Sequence, residues 1–393
     1  MSSRVSSDLD PFSPEFRADP FTYYAELRAL GPIVWLERYG IWVVSHYEQV
    51  RTVLTGYDTF SNAGGGGLAN YFKTPPWRQP SIVLEVDPPE HSRTRAVLMR
   101  VISAAAVRGM RDGFEQIAQS LFDRALAAKT LDAIPELVQP FILTAFPDAV
   151  GLEREGRENL RRYGAMVSGA FGPVTPFYEE LMTKASAVLG WIAAHCQRDA
   201  LAPMGLGASI YAAADSNEIT NEEAALLVRS LLSAGVDSTI DSIGLALRCL
   251  IDHPDQWRVL RENPSLARAA FEEATRYDSS SQSLFRTTLR AVEFAGACLG
   301  KYEKVLVLVG SAGRDPARWD DPDRFDIRRK LNNQIGYGAG IHGCVAQMMA
   351  RLEGEVFFRT LATKVKTLEA AGPPVLCLNP GMRGLSALPV VIG

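Results

Sequence analysis

The chain has 393 residues, 47% hydrophobic and 22% charged, proportions of an ordinary folded protein that argue against disorder, collagen and a coiled coil. Its 41 Lys and Arg against 45 Asp and Glu leave a net charge of −4, without the basic excess of a nucleic-acid binder. No apolar run reaches the roughly 18 residues of a membrane span, and residues 1–12 lack the apolar core of a signal peptide, so a cytoplasmic protein making no use of a membrane is expected.

At roughly 150 residues per domain the length allows two or three domains. No internal repeat and no linker rich in Pro, Ser or charge divides the chain, so a single domain over 1–393 is expected. Residues 1–9 are expected to be flexible. Short strand-like runs occur at Ile33 to Val44 and Lys304 to Val309, while helical periodicity dominates from Ala104 to Ala128, Glu222 to Ile251 and Val345 to Val365. The predicted fold class is mainly α with small β-sheets. Residues 61–89 form a long irregular stretch containing Gly64 to Gly67 and five prolines. Loops of that length are often binding loops or lids, which makes 61–89 the candidate substrate-binding region.

Several segments place polar groups where a core has no need of them. In Asp87 to Arg95, His91 and Arg95 stand at i and i+4 and point their tips the same way. Thr220 and Glu223 form a capping-box pattern that opens the longest helix, expected to end before Pro254. Its middle, Ala234-Gly235-Val236-Asp237-Ser238-Thr239, holds a glycine costing about 1 kcal/mol and hydroxyls that compete for backbone carbonyls. Such local violations are expected where function resides. Glu273 and Arg276, at i and i+3, can pair on one helix face.

Five cysteines lie scattered without paired spacing, so neither a zinc ribbon nor a disulfide framework is implied. Only Cys344 follows a glycine-rich turn, Tyr337 to Gly343, and precedes a helical pattern. Free N–H groups and the positive end of a helix stabilise a thiolate there, the setting that a thiolate ligand of haem iron needs. Taken singly, each motif has a plainer reading. A glycine turn before Cys is an ordinary helix start, Glu-x-x-Arg recurs on surface helices, and lone His and Arg are commonly solvated.

In their joint order and spacing these segments resemble the cytochrome P-450 superfamily, from about Asp10 to Pro389. The resemblance implies a haem b cofactor between the long helix and the helix after the cysteine loop, with Cys344 as iron ligand and Gly338 in its loop. His91, Arg95, Arg286 and His342 match haem-propionate positions. Glu273, Arg276 and Arg324 match a structural ion-pair network. Ala234 and Gly235 match the oxygen-binding kink, in which Asp237 and Ser238, beside Thr239, relay protons to bound dioxygen. Three departures stand out: Ser238 replaces the usual Thr, Tyr337 the usual Phe, and Ala346 the usual Gly after the ligand. None removes a ligand, although Ala346 adds a methyl group where the helix would pack on the porphyrin.

Trp77 to Ser81, with Arg229 and Ser230, resembles the bacterial branch that oxidises para-substituted benzoates, where Arg78, Ser81, Arg229 and Ser230 match the carboxylate cap. Independently, Ser230, Ala234 and Ser238 succeed one another at i+4, and Ser230 and Ser238 are separated by about 12 Å of helical rise, room for a benzoate. The plainer reading makes Arg78 a surface charge and Ser230 a surface hydroxyl. Val83, Leu84, Ser168, Phe171, Leu284 and Met382 match pocket-lining stretches, though core packing serves equally for Val83 and Leu84. An aromatic can occupy the Ser168 position in that branch, so serine would leave room for extra ring substituents or a different para group.

The implied activity is that of a haem-thiolate monooxygenase acting on a small aromatic acid with dioxygen. It would perform O-demethylation of para-methoxybenzoates or hydroxylation of para-alkylbenzoates. No strand-to-helix G-x-G-x-x-G fingerprint and no cysteine cluster supplies an electron-transfer module, so a ferredoxin and its NAD(P)H-dependent reductase are the implied partners. Two other functions are considered: a peroxygenase using hydrogen peroxide, motivated by Ser238, and a non-catalytic haem-bound carrier or sensor of aromatic acids, against which the Asp237 and Ser238 pair argues.

Overall fold

The computed structural model describes residues 4–377 and 379–393 and is mainly α-helical with small β-sheets. At its centre the helix Gln347–Lys364 packs against Arg111–Ala128 and Ala267–Tyr277. Phe122, Phe141, Phe271, Phe357 and Phe358 fill the space between these elements and are fully buried. Among the described residues no helix is long and apolar enough to cross a membrane.

The largest sheet has six strands in the order Ser6–Ser7, Val34–Leu36, Ile41–Val44, Lys304–Val307, Leu284–Thr288 and Phe60–Ser61. Phe285 pairs with Leu306 and Arg286 with Val305, so alternation along the strand separates the two side chains onto opposite faces. Phe285 packs in an apolar cluster with Leu306, and Leu284, Phe285 and Arg286 all border the cavity described below.

Within the stretch 1–9 expected to be flexible, the structure forms one short strand. Ser6–Ser7 pairs in parallel with Trp35–Leu36, and Trp35 N–H donates to the Val5 carbonyl at 2.9 Å. Strand backbone groups require partners, and the neighbouring strand supplies them. Residues 1–3 lie outside the described residues.

The helix expected from Glu222 to Ile251 is two helices, Asn221–Ala234 and Asp237–Asp252. Its capping box forms as the sequence predicts: Thr220 Oγ1 accepts from Glu223 N–H at 3.2 Å, and the Glu223 carboxylate accepts from Thr220 N–H at 2.9 Å. The break falls at Gly235, where a Cβ would lie 2.4 Å from the Phe146 ring. Only glycine lets the two elements approach so closely. The second helix ends at Asp252, ahead of Pro254.

Apart from Ser61, which closes the edge strand, the stretch 61–89 contains no helix or strand, and its neighbours hold it in place. Lys304 Nζ donates to the carbonyls of Gly64 and Gly65 at 3.0 and 2.8 Å, Leu68 N–H donates to Phe171 O at 2.8 Å, and Thr94 Oγ1 donates to Ile82 O at 2.6 Å.

Candidate active site

A cavity of about 300 Å³ lies between the broken helix, the helix Gln347–Lys364 and the loop 61–89. Its wall joins segments far apart in sequence. Ala234, Gly235, Asp237, Ser238 and Thr239 come from the helix break; Gly338, His342, Cys344 and Ala346 come from the cysteine loop. Arg95 and Arg286 border the same space, as do Val83, Leu84, Ser168, Phe171, Leu284 and Met382.

At the cysteine loop, Gly338 and Gly340 adopt φ of +74° and +70°. A side chain at 340 would lie 2.7 Å from the Leu54 carbonyl, so this turn requires glycine. Cys344 N–H donates to Tyr337 O at 2.8 Å, and Gln347 Nε2 donates to Cys344 O at 3.0 Å. The helix itself begins at Gln347, leaving Cys344 three residues ahead of it. Burial pushes the Cys344 thiol up, while the Ala346 N–H, Arg95 and Arg351 oppose that shift. Burial thus works against ionisation of this sulfur, and coordination to a metal cation deprotonates such a thiol outright. Tyr337 carries the Arg351 guanidinium 4.3 Å above its ring, which gives the larger aromatic a partner.

Beside this loop sits a group of under-partnered cationic and imidazole side chains. His91 and His342 have ring centroids 4.3 Å apart, and both nitrogens of each are buried without a hydrogen-bond partner. Burial lowers His91 to about 4, helped by His342 and Arg95. Burial also lowers His342, with Asp87 opposing. Arg286 donates to Asn62 Oδ1 at 2.9 Å and to the Phe285 carbonyl at 2.7 Å; burial lowers it to about 10. Arg95 Nη2 donates to Gly343 O at 2.5 Å. The His342 imidazole, the guanidinium groups of Arg95 and Arg286 and the Cys344 thiol border one cavity, with His91 against His342, and they fit a ligand carrying two carboxylates and a metal centre, which is the chemistry of haem.

The far wall carries the polar groups singled out for a substrate. Ser81 Oγ and Ser230 Oγ are hydrogen-bonded at 2.8 Å, and Ser230 also donates to Leu226 O. Arg78 borders the cavity with Nε buried and unpartnered. Its Nη2 lies 3.1 Å from Glu85 Oε2, its Nη1 donates to Gln79 O at 2.8 Å, and Glu85 also accepts from Ser81 N–H at 2.7 Å. Arg229 stands apart from the cavity wall, donating to the carbonyls of Gln79 and Pro80 at 2.9 and 3.1 Å. Ser168 is committed too: its hydroxyl donates to Gly164 O at 2.9 Å and accepts from Asn379 Nδ2 at 2.7 Å.

At the break, Ser238 Oγ donates to Ala234 O at 2.6 Å and Thr239 Oγ1 to Gly235 O at 3.2 Å, so both hydroxyls take up carbonyls near the disrupted turn. Asp237 faces the cavity with Oδ1 buried and unpartnered; burial raises its pKa and Arg161 opposes the rise.

The ion-pair network needs one correction. Glu273 and Arg276 form a two-point pair at 2.7 Å with both side chains fully buried, as expected. Its third member is Arg329, with Nε 3.2 Å from Glu273 Oε1, and not Arg324. The Arg324 side chain is 65% exposed and lies 3.7 Å from Asp326, because it is the Arg324 backbone carbonyl that turns inward, accepting from Arg276 and Arg329.

Sequence reasoning passed over Asn62, Glu85, Arg161, Lys304, Arg329 and Asn379. One signal was available for Glu85, an acid inside the apolar run Ile82-Val83-Leu84-Glu85-Val86. The others carry no local pattern.

Comparison with known proteins places this site in a family. A family profile described as Cytochrome P450 matches residues 178–367. The chain is 49% identical over 383 residues to "Cytochrome p450 CYP199A2" of Rhodopseudomonas palustris, covering 97% of this chain and 93% of the relative. It is 30% identical to "Cytochrome P450 107B1" of Saccharopolyspora erythraea, covering 98% and 97%. Among solved structures, cytochrome P450 CYP109Q5 from Chondromyces apiculatus superposes with a TM-score of 0.84 at 28% identity, covering 98% of each chain. Cytochrome P450 CREJ in complex with (4-ethylphenyl) dihydrogen phosphate superposes with a TM-score of 0.85 at 25% identity, covering 98% and 99%. With relatives matched over nearly their whole length, and with a cavity whose donors suit haem, the chain belongs to the cytochrome P450 family of haem-dependent monooxygenases.

Proposed function

We propose that this enzyme oxidises small para-substituted aromatic carboxylic acids, demethylating para-methoxybenzoates and hydroxylating para-alkylbenzoates. The observation that carries this reading is a single cavity bordered by Arg78 and Ser230 as well as by Asp237, Ser238 and Cys344. Cys344 is the proposed thiolate ligand of haem b, with His91, Arg95, Arg286 and His342 facing its propionates. Bound in this way, haem supplies oxygen activation at iron.

This chain's residues do the positioning. Arg78 Nε, lacking a partner, donates to the substrate carboxylate, while Ser81 and Ser230 exchange their mutual hydrogen bond for bonds to the same group. Arg229 holds the Gln79 and Pro80 carbonyls and so fixes the loop that presents Arg78 and Ser81. Val83, Leu84, Phe171, Leu284 and Met382 exclude water and confine the ring. Ser230 and Ser238 stand on the two sides of the break at Gly235 and both border the cavity, so a benzoate held by its carboxylate at Ser230 points its para substituent toward Ser238. That orientation sends the para group toward Asp237, which holds a proton, and Ser238, which passes it on. A methoxy group hydroxylated at its methyl carbon collapses to a phenol and formaldehyde; an alkyl group keeps the hydroxyl. The solved relative whose ligand is (4-ethylphenyl) dihydrogen phosphate supports the reading, because that ligand sets a para-alkyl ring opposite an anionic head.

Electrons come, in this proposal, from a ferredoxin and its NAD(P)H-dependent reductase. The test of the substrate class is an optical titration of haem-loaded protein with 4-methoxybenzoate and with 4-methoxybenzamide. Tight binding of the acid with a spectral shift, and weak binding of the amide, is the expected result; equal affinity for both contradicts a carboxylate anchor.

A further inference from the structure

Asp241 is a buried carboxylate one turn beyond Asp237, and nothing in the mechanism above uses it. Positions 237 and 241 are i and i+4 within Asp237–Asp252 and so share a helix face. Their surroundings are built closely around them. A Cβ at Gly164 would lie 3.0 Å from the Asp237 carboxyl carbon, and one at Gly384 would lie 2.0 Å from Asp241 Oδ1. Backbone therefore passes close to both acids, and at 384 the approach leaves no room for a side chain.

The charged and titratable groups facing this pair are few. Arg161, from the helix Glu158–Gly169, attracts both carboxylates, and its Nη1 is buried without a partner. The Cys377 thiol faces Asp241 from the chain between Val375–Leu376 and Leu385–Ala387. Asp237 Oδ1 is itself buried and unpartnered. One guanidinium thus serves two acids in a dry site, where both cannot ionise without strong repulsion. Burial raises Asp241, and the neighbouring Asp237 charge raises it further, so Asp241 is the member of the pair pushed toward its protonated form.

We infer that Asp241 is the rear member of a two-carboxylate relay, holding a proton behind Asp237 and passing it forward once Asp237 has released its own toward Ser238. The proton count closes. With both acids protonated at the start, Asp237 gives up one proton and becomes a carboxylate; the Asp241 carboxyl transfers its proton to Asp237; Asp241 then recovers a proton from solvent. Both acids return to their starting state and one proton has moved inward. Asp241 touches neither substrate nor cofactor, so it is a positioning residue that acts through Asp237. The inference rests on the proposed role of Asp237.

The experiment compares haem-loaded wild type, Asp241→Asn, Asp241→Glu and Asp237→Asn by infrared spectroscopy and by the pH profile of product formed per NAD(P)H. Wild type is expected to show a protonated-carboxyl band above neutral pH that shifts in deuterium oxide. Asp241→Asn should lose that band and couple less efficiently with an altered pH profile, and Asp241→Glu should restore both. Glu353, buried and raised to about 8, gives a band of its own, so the spectra are compared in a Glu353→Gln background; a band that persists there in Asp241→Asn, or a pH profile identical to wild type, overturns the inference. Should Asp241→Asn fail to load haem, the wild-type infrared titration decides: no protonated carboxyl above neutral pH means no rear donor. If Asp237→Asn couples normally, the underlying reading of Asp237 fails; if it uncouples while Asp241→Asn does not, only the second carboxylate is ruled out.

Discussion

Arg78 and Glu85 form a buried ion pair, Nη2 to Oε2 at 3.1 Å, with side chains 9% and 4% exposed, at the end of the cavity assigned to the substrate carboxylate. The guanidinium is therefore held by an internal acid while its Nε stays free. Removing one member of a buried pair strands the other, at a cost of about 3 to 5 kcal/mol. Arg78→Ala is expected to destabilise the fold by that order and to weaken 4-methoxybenzoate binding by about 30-fold or more. The double variant Arg78→Ala with Glu85→Gln should recover much of the stability and none of the binding. Thermal melts and optical titrations on the same samples check both halves.

Ser238 supplies a hydroxyl without the methyl group that stiffens threonine, and its Oγ donates to Ala234 O at 2.6 Å. Ser238→Ala should lower product per NAD(P)H and divert reducing equivalents to peroxide, while Ser238→Thr should preserve or raise coupling. Substrate affinity should change little in either, since the carboxylate anchor at Ser230 lies on the preceding helix, across the break from Ser238. Peroxide release measured beside product decides the matter. Turnover with hydrogen peroxide that equals turnover with ferredoxin would instead favour a peroxygenase.

Lys304 is buried in the sheet, and burial with Arg286 nearby lowers it from 10.5 to about 7. The unfolded chain keeps a proton on Lys304 up to about pH 10.5, whereas the folded chain releases it near pH 7. Between these limits the unfolded state binds more protons, so this residue makes stability rise with pH. Lys304→Met should flatten that rise and loosen the loop, because the Gly64 and Gly65 carbonyls lose their donor. Chemical denaturation of the haem-free chain at several pH values, wild type against variant, measures the slope directly.

Cys344→Ala should lose the red-shifted carbon monoxide band of thiolate-ligated ferrous haem. Variants of Cys196, Cys249, Cys298 or Cys377 should keep it. Retention of the band in Cys344→Ala removes the assigned ligand.

Much of this architecture was legible in the sequence because its signals are local. The capping box at Thr220 and Glu223, the glycine turn before Cys344 and the i, i+3 pair Glu273 and Arg276 each sit within a few residues of themselves, and each forms as read. Choosing between Arg324 and Arg329 required knowing which way a loop backbone turns, and spacing does not encode that. Glu85 and Asp241 escaped notice for a related reason. A single acid in sequence looks like a surface charge until long-range packing buries it, beside Arg78 in one case and against Gly384 in the other. The break at Gly235 was marked by its residues, but its cause, the Phe146 ring, lies 89 positions away (235 − 146 = 89).

The central claim is oxidation of a para-substituted benzoate in this cavity, and the most direct measurement is product analysis with 4-methoxybenzoate, haem-loaded enzyme, a competent ferredoxin system and NAD(P)H. The account predicts 4-hydroxybenzoate and formaldehyde in equal amounts, dependent on dioxygen and abolished by Cys344→Ala. Substrate that binds and shifts the spectrum yet yields neither product, with reducing equivalents lost to peroxide or not consumed at all, contradicts it.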